Sequence, residues 1–254
     1  MNQSRRAWIL ALLLAGSAFA QSLKIYTEVD PPNQVQEPDG RLSGMAVEVV
    51  REIQRRVGGS EPIAVVPWAR GYLELQTLPN VVLFSTARTA ERNPMFKWVG
   101  PIDERRYVLY ARADSTLKLR SLDEAKKLSA IGVYKDDVRD LWLTGKGFKN
   151  LDRTIDNVNN VKKLMSGRIE AFPYSTVGIE ELAHSAGYKA ADMKEILPLF
   201  NVQLYIAMSK DMPDTTVRAW SDALAKMKRD KTFERIFKRY FPDQRLPGKA
   251  ITKF

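Results

Sequence analysis

The sequence predicts an α/β protein of two domains, and three observations carry that prediction. Strand-like and helix-like segments alternate along the chain, with more than a dozen residues between successive strands. Connections of that length join parallel strands, because antiparallel neighbours need only a short turn. Residues 80–86 (NVVLFST) form a mainly apolar run suited to a strand buried on both faces. The third observation is length, since residues 21–254 are enough for two hydrophobic cores.

The first twenty residues have the layout of a signal peptide. Arg5 and Arg6 precede an apolar run over residues 7–15, and the small-x-small triplet at 18–20 follows it. The run is shorter than the ~20 residues that a membrane-spanning helix needs. We therefore expect a signal peptide at 1–20 and an exported, soluble, periplasmic protein. A retained N-terminal membrane anchor is the alternative.

Composition restricts the chemistry that the protein can use. There is no cysteine, which excludes disulfides and lipid attachment through cysteine, and the single histidine argues against a zinc site. The net charge of +10 becomes +8 without Arg5 and Arg6. Basic and acidic residues are interleaved, and there is no arginine-rich arm. We expect a solvated basic surface, with no nucleic-acid partner, no metal and no cofactor.

Each element of the first unit follows from its local pattern. Residues 23–26 (LKIY) predict a strand, and a loop rich in proline follows. Apolar residues then recur at helical spacing until two glycines end the helix, and the stripe consists of Met45, Val49, Val50, Ile53 and Val57. After this helix the pattern predicts a strand at 63–66, a short helix at 68–78 and the buried strand at 80–86.

Several polar or aromatic side chains follow predicted strands at one edge of this sheet. In open parallel sheets, ligands bind beyond the carboxyl ends of the strands. The residues predicted to share that edge are Glu28, Trp68, Thr86 and Arg88.

The same alternation continues through a second unit. It predicts helices at 121–127, 136–144, 157–165 and 177–186, and strands at 130–134 and 169–173. A strand at 203–208 (QLYIAM) and two amphipathic helices close the chain. The apolar faces of these helices consist of Val217, Trp220, Leu224 and Met227, and of Phe233, Ile236, Phe237 and Tyr240.

From residue 23 to residue 241, the order of these segments resembles the family 3 periplasmic solute-binding proteins. The segments that carry the resemblance include PWARGY, NVVLFSTARTAERNPMFKWVGPI, IGVYKDDVRDLWLTGKG and ALAKMKRDKTFERIFKRYF. The resemblance implies a two-lobed periplasmic-binding-protein fold of type II, each lobe a mainly parallel sheet flanked by helices. It implies lobe one at 21–109 plus 205–254, lobe two at 110–204, and a cleft that shuts on ligand by hinge motion.

In lobe one, the resemblance singles out Arg92. Residues 89–92 (TAER) match the family's Thr-x-x-Arg element, whose arginine binds the α-carboxylate of amino-acid ligands. A guanidinium fork makes a bidentate, charge-assisted contact with a planar carboxylate. The alternative is a surface arginine that pairs with Glu91 or Glu104.

Other lobe-one residues have two interpretations each. Arg70 and Arg88 either enlarge the positive edge, which favours an acidic solute, or are solvated. Trp68 stands where the family often places an aromatic platform for the ligand, and core packing is its alternative. Glu28 either binds a ligand ammonium group or holds one of the arginines.

The lobe-two residues depart from the family pattern. Residues 134–137, including Tyr134, Asp136 and Asp137, stand where the family usually offers a Gly-Thr loop to the carboxylate. This turn is acidic here, and helix capping is its alternative role. Next to Tyr174, Ser175 stands where amino-acid binders commonly carry an aspartate for the ligand amine. A serine does not offset an ammonium charge as a carboxylate does.

We therefore predict a monomeric binding protein, and not an enzyme, that closes on a small polar solute for an ABC permease. The solute is an amino acid or a related carboxylate. A stand-alone membrane-sensor partner needs the same cleft, so the sequence does not separate the two roles. The enzyme alternative is a dehydratase of the cyclohexadienyl type, with Glu170 and the 136–137 pair as candidate acids. His184 has no G-x-S-x-G element to accompany it, which leaves a catalytic triad without support.

Overall fold

The computed structural model describes residues 23–251, so the predicted signal peptide lies outside the described residues. The first part of the chain contains β1 (Lys24–Thr27), β2 (Val35–Gln36), β3 (Leu42–Ser43), α1 (Met45–Val57), β4 (Ile63–Val65), α2 (Trp68–Thr77), β5 (Val81–Ala87) and β6 (Lys97–Arg112). The middle part contains α3 (Leu122–Ala125), β7 (Ile131–Tyr134), α4 (Val138–Gly145), β8 (Leu151–Thr154), α5 (Asn157–Met165), β9 (Phe172–Ser175) and α6 (Ile179–Ser185). The last part contains β10 (Met193–Met208), α7 (Asp214–Arg229) and α8 (Thr232–Tyr240).

One six-stranded sheet runs through the molecule in the order β4-β1-β5-β10-β6-β9. β1 pairs in parallel with β4 and β5, whereas β10 is antiparallel to β5 and β6. β9 is antiparallel to β6, and β7 and β8 form a separate parallel pair. The predicted two-lobed α/β fold is confirmed. Its sheets mix the parallel strands of each lobe with long antiparallel strands that connect them.

The connecting strands are β6 and β10, each of 16 residues. Their antiparallel register places Asp103 opposite Leu204 and Tyr107 opposite Phe200. On one side of this region β10 pairs with β5, and on the other side β6 pairs with β9. The predicted lobe boundaries at 109/110 and 204/205 fall inside these two strands, and the exact division stays a prediction.

The sequence pattern missed β6, β8 and the first half of β10. In β6, residues 103–106 are all charged, which interrupts the apolar alternation expected of a strand. Asp103 and Arg105 nevertheless point inward and form an ion pair of 2.9 Å, with 1% and 2% of their side chains exposed. Pairing makes the burial of both charges tolerable. When Asp103 and Arg105 are counted as interior residues, inward and outward side chains alternate through this part of β6.

The first lobe has a core between the sheet and three helices. Helices α1, α7 and α8 contribute a common set of buried apolar side chains, among them Val49, Ile53, Trp220, Met227 and Phe237. These residues belong to the stripes that predict the helices, and the three helix predictions are confirmed. α1 ends at Gly58, whose φ of 79° is favoured by a residue without a Cβ atom.

The second lobe has its own apolar packing. One cluster joins α5 and α6 to β9 through Val161, Leu164, Phe172 and Leu182. A second joins β7 to α4 and to the loop that carries Phe148. Across residues 23–251, no helix combines the length and the hydropathy needed to cross a bilayer.

Candidate functional site

A small cavity lies between the lobes, beyond the carboxyl ends of β1 and β5. These two strands are parallel neighbours, so the loops that follow them meet at the same edge of the sheet. The cavity volume is about 50 Å³. Its lining consists of Glu28, Val29, Asp30, Trp68, Ser85, Ala87 and Arg92 from the lobe-one side, and of Tyr107, Asp137, Val138, Arg139, Asn157, Tyr174, Ser175 and Leu204 from β6, β10 and lobe two.

Arg92 is the buried cation of the lobe-one wall. It is 3% exposed, and its guanidinium carbon lies 5.3 Å from the ring centre of Trp68 and 4.8 Å from that of Tyr72. Its Nη1 donates to the carbonyl oxygen of Ala87 at 3.5 Å, while Nη2 has no hydrogen-bond partner among residues 23–251. A buried guanidinium with an unused donor is costly unless an acceptor meets it. The wall therefore offers a place for an anionic group.

The aromatic rings beside Arg92 continue away from the cavity in a row. Successive ring centres are 5.4 to 5.9 Å apart. The row runs from the cavity to β10 through Trp68, Tyr72, Phe96, Trp98 and Tyr205. Trp68 packs in an apolar cluster and also lines the cavity, so core packing is seen and its role as a ligand platform stays a prediction.

The lobe-two wall begins at the N-terminus of α4. Asp137 caps this helix, and its Oδ1 accepts the backbone N–H groups of Arg139 at 2.8 Å and Asp140 at 3.0 Å. Its Oδ2 forms an ion pair with the Arg139 side chain. The amide groups that a ligand carboxylate would use at this helix start are therefore already bonded to the protein's own carboxylate.

Arg139 is a second arginine in the cavity, on the opposite lobe from Arg92. It is 6% exposed, and its guanidinium carbon lies 5.5 Å from the ring centre of Tyr107 and 5.2 Å from that of Tyr174. Burial opposes its charge, but the Asp137 carboxylate, together with Tyr107 and Tyr174, more than offsets this and raises the pKa of Arg139. Arg139 therefore stays a cation between two aromatic faces.

Hydrogen bonds cross directly from one lobe to the other around the cavity. The indole Nε1 of Trp68 donates to the carbonyl oxygen of Asp136 at 3.1 Å. The backbone N–H of Trp68 donates to the hydroxyl of Tyr134 at 3.3 Å, and the hydroxyl of Tyr174 donates to Asp30 at 3.2 Å. These contacts hold the two walls together, so the cleft is closed in this structure.

Glu28 is partly buried where loops of the two lobes meet. Burial, together with the nearby carboxylates of Asp30 and Asp137, raises the pKa of its carboxyl to about 8. Arg139 and a hydrogen bond from the Tyr134 hydroxyl oppose part of that increase. The closed cleft thus favours the protonated form of Glu28 more than water does.

Six of the eleven predicted ligand-binding residues line this cavity, namely Glu28, Trp68, Arg92, Asp137, Tyr174 and Ser175. Tyr134 borders it through its contacts with Trp68 and Glu28. The proposed alternative for Arg92 is not seen, because no ion pair joins it to Glu91 or Glu104 within residues 23–251. The alternative for Asp137, helix capping, is seen together with its place in the lining.

The two other predicted arginines lie outside the lining. Arg70 is exposed on α2 and forms an ion pair with Glu74 at 3.0 Å. Arg88 stacks on the rings of Tyr205 and Trp98, with its guanidinium carbon 5.1 and 5.6 Å from their centres. The structure does not gather three arginines at one edge, and a contact of either residue with ligand stays a prediction.

Two further predicted residues also lie away from the lining. Thr86 is fully buried, and its hydroxyl donates to the carbonyl oxygen of Leu83 at 2.9 Å. The side chain of Asp136 is exposed, while its carbonyl oxygen accepts the Trp68 indole. Its φ is 61°, a left-handed conformation that turns this carbonyl across the cleft.

Nine of the fifteen lining residues escaped the sequence-based prediction, among them Asp30, Arg139 and Tyr107. Asp30 lies three residues beyond β1, in the proline-rich loop that follows this strand. Arg139 follows the N-cap residue of α4 by two positions, and the prediction for this region named only residues of the acidic turn before it. Tyr107 was missed with the whole of β6. Asp30 and Arg139 could have been predicted from the sequence, because Asp30 lies near the end of a predicted strand and Arg139 lies near a predicted helix cap.

The candidate acids of the enzyme alternative have structural partners. The Glu170 carboxylate accepts the backbone N–H of Ser129, and Glu170 does not line the cavity. Asp137 is the cap described above. Among residues 23–251, no group of three or more histidine, aspartate or glutamate side chains is arranged to hold a metal ion.

Comparison with known proteins adds to this geometry. The family model described as bacterial extracellular solute-binding proteins, family 3, matches residues 23–243. A search of curated proteins finds no match.

Similar solved structures include a histidine kinase sensor domain with similarity to periplasmic binding proteins, at a TM-score of 0.79 and 16% identity, covering 87% of this chain and 96% of that chain. They also include a mutant of ArgBP from T. maritima, at a TM-score of 0.76 and 18% identity, covering 87% of this chain and 96% of that chain. A third is the arginine-, lysine-, histidine-binding protein ArtJ from Geobacillus stearothermophilus, at a TM-score of 0.75 and 16% identity, covering 89% of this chain and 97% of that chain. At these identities the likeness concerns the fold.

Proposed function

Because this chain belongs to family 3 of the bacterial extracellular solute-binding proteins, we propose that it binds a small polar solute, an amino acid or a related carboxylate, between its lobes. The observation that carries this proposal is Arg92, a buried arginine in a two-lobe cavity whose Nη2 lacks a partner among residues 23–251. A carboxylate supplies the missing acceptor. Asp30 and Glu28 line the same cavity and supply acceptors for a ligand ammonium group, whose charge Ser175 does not neutralise and whose presence favours the ionised form of Glu28.

Closure of the lobes is the proposed mechanism. A ligand touches Arg92 on one lobe and the Arg139 wall on the other only when the cleft is shut. Binding therefore shifts the population toward the closed form by the difference in affinity between the two forms. The contacts of Trp68 with Asp136 and of Tyr174 with Asp30 add direct stabilisation to that form.

Delivery to an ABC permease in the periplasm is the role that we propose for the closed, monomeric protein. The second candidate is a sensor, and the similarity to a histidine kinase sensor domain favours it. A gene deletion distinguishes the two. Loss of uptake of the labelled solute supports transport, whereas intact uptake with loss of a transcriptional response supports sensing.

The binding proposal is tested first by thermal shift on residues 21–254 with amino acids, dicarboxylates, small peptides and aromatic acids. A ligand at about 100 times its dissociation constant adds about 2.7 kcal/mol of stability. Hits are then measured by isothermal titration calorimetry against Arg92→Ala and Arg70→Ala. We expect Arg92→Ala to lose about 2 to 5 kcal/mol of binding free energy.

Arg70→Ala is the matched control, because it removes an exposed arginine of the same lobe whose ion pair lies outside the cavity. Since Arg70 does not line the cavity, the affinity of this variant should stay near that of the unaltered protein, and a loss would support the sequence-based prediction that Arg70 contacts the ligand. An unchanged affinity in Arg92→Ala would remove Arg92 from the site, and a library without any hit would remove the proposed ligand class.

A further inference from the structure

A second cavity adjoins the first. Its volume is about 420 Å³, against about 50 Å³ for the polar cavity. The two share Glu28, Val29, Asn157 and Tyr174 in their linings. The larger cavity, which we call the side chamber, therefore adjoins the polar cavity at these four residues.

Both lobes build the side chamber mainly from apolar side chains. Val65, Val66 and Pro67 come from the carboxyl end of β4 and the turn before α2. Ile155, Val158 and Leu182 come from the loop before α5 and from α5 and α6. The chamber forms only where these two groups face each other, which is the same closed arrangement that forms the polar cavity.

Two large apolar residues remain uncovered at the side chamber. Ile155 is 78% exposed, and Val29 is 46% exposed. The one carboxylate that α5 contributes, Asp156, caps that helix and is bonded to the backbone and side-chain amides of Asn159. Glu28 is thus the acid left at the junction of the two cavities.

The size of the polar cavity limits what it can enclose. A water-sized group needs about 10 to 15 Å³ of such volume, so about 50 Å³ accommodates roughly four groups. A carboxylate group together with the adjacent carbon that carries the amino group is about large enough to fill that volume. A longer substituent has to extend beyond the polar cavity, and the side chamber adjoins it at the shared residues Glu28 and Tyr174.

We propose that the ligand is an α-amino acid, or its carboxylate analogue, with a branched aliphatic or aromatic side chain that fills the side chamber. This inference rests on the proposed function and specifies its ligand class. The polar head lies between Arg92 and Glu28, and the apolar side chain packs against Val65, Leu182 and Ile155. Transfer of the side chain from water, together with covering Ile155, supplies the preference.

The test is a calorimetric titration of residues 21–254 with alanine, 2-aminobutyrate, norvaline, leucine and phenylalanine. Lysine, arginine and glutamate serve as charged comparators. Each additional buried methylene should raise the affinity about fourfold. Binding of the larger members should also show a more negative heat-capacity change than binding of alanine. Alanine binding as tightly as leucine, or lysine or arginine binding more tightly than both, would overturn the inference.

Variants separate the side chamber from the polar cavity. Ile155→Ser and Val65→Thr make its two walls more polar, and Leu73→Ser is the matched control, a 59% exposed residue on α2 outside both cavities. We expect the first two variants to weaken leucine and phenylalanine several-fold and to leave alanine within about twofold, while the control changes neither. Equal effects of all three variants contradict a side-chain site here.

The two proposals fail in different ways. If no carboxylate binds, or if Arg92→Ala has no effect on any ligand, the proposed function is wrong. If small or charged amino acids bind in an Arg92-dependent manner without an apolar preference, only the side-chamber inference is wrong.

Discussion

The carbonyl oxygen of Pro31 lies 2.3 Å from the position that a Cβ atom on Gly178 would occupy. Pro31 belongs to the loop after β1 in the first lobe, and Gly178 precedes α6 in the second, so this contact crosses the cleft. A non-bonded carbon atom does not approach a carbonyl oxygen that closely. The cleft therefore closes fully only if residue 178 has no side chain.

Gly178→Ala should therefore hold the cleft partly open. Its control is Gly187→Ala, because Gly187 has a φ of 86° against 83° for Gly178 and has open space around it. The left-handed conformation should cost both variants about 1 to 2 kcal/mol of stability. Only Gly178→Ala should also lose at least about tenfold in ligand affinity by calorimetry. Equal affinities in the two variants would contradict a closure role.

The hydroxyl of Tyr174 should contribute to closure through its bond to Asp30. Tyr174→Phe removes that hydrogen bond at 3.2 Å across the cleft. A hydrogen bond to a charged acceptor contributes about 1.5 to 3 kcal/mol, so we expect about tenfold weaker ligand binding or more.

Tyr107→Phe is the matched control for that change. Tyr107 also lines the cavity and packs on Arg139, and it lies on β6 rather than in lobe two. Its affinity should fall less than that of Tyr174→Phe, as measured by calorimetry. The reverse order would show that the Tyr174–Asp30 bond does not stabilise the closed form.

The Asp137–Arg139 pair should be a stability element as well as a wall of the cavity. Asp137→Ala leaves Arg139 buried without its partner and uncaps α4, so we expect a loss of about 3 to 5 kcal/mol in urea unfolding. Asp137→Asn keeps the cap and should lose less. Replacing both residues, as Asp137→Asn with Arg139→Leu, should recover part of the loss, and a double-mutant cycle without coupling would contradict the pairing.

Glu28 should make stability depend on pH. Its pKa is raised to about 8 in the closed structure from an ordinary value near 4.5, so between these values the folded protein binds more protons than the unfolded chain. Stability therefore falls as pH rises through this interval. Glu28→Gln should flatten the curve of melting temperature against pH between 5 and 8, relative to the unaltered protein. Parallel curves would show that Glu28 titrates normally.

Local pattern was sufficient to predict most of the first lobe. The α1 stripe, the strand before it and the buried strand near residue 83 need only a few neighbouring residues to be recognised, because each buries one continuous face. β6 was different. Its buried Asp103–Arg105 pair is favourable only when both charges are seen together in three dimensions, and a linear pattern scores each as exposed.

The candidate site was predictable to the extent that strand ends and caps mark it. Glu28 and Trp68 follow strands, and Arg92 follows β5 by a short loop, so their convergence follows from a parallel sheet. The lobe-two partners depend on how the lobes meet. The Asp136 carbonyl and the Arg139 guanidinium reach the cavity through a left-handed turn and an ion pair, neither of which the residue types disclose.

The row of rings from Trp68 to Tyr205 gives the molecule an optical property. Trp68 is 5% exposed, and its indole N–H is bonded to a carbonyl of the other lobe. Opening would break that bond and bring the ring into water, which shifts tryptophan emission to longer wavelength. The ring of Tyr72 is stacked on Trp68 with the ring centres 5.4 Å apart, close enough for excitation energy to transfer from the tyrosine to the indole. Opening of the cleft should therefore shift the part of the protein's fluorescence that Trp68 contributes, beside the emission of Trp98, Trp142 and Trp220.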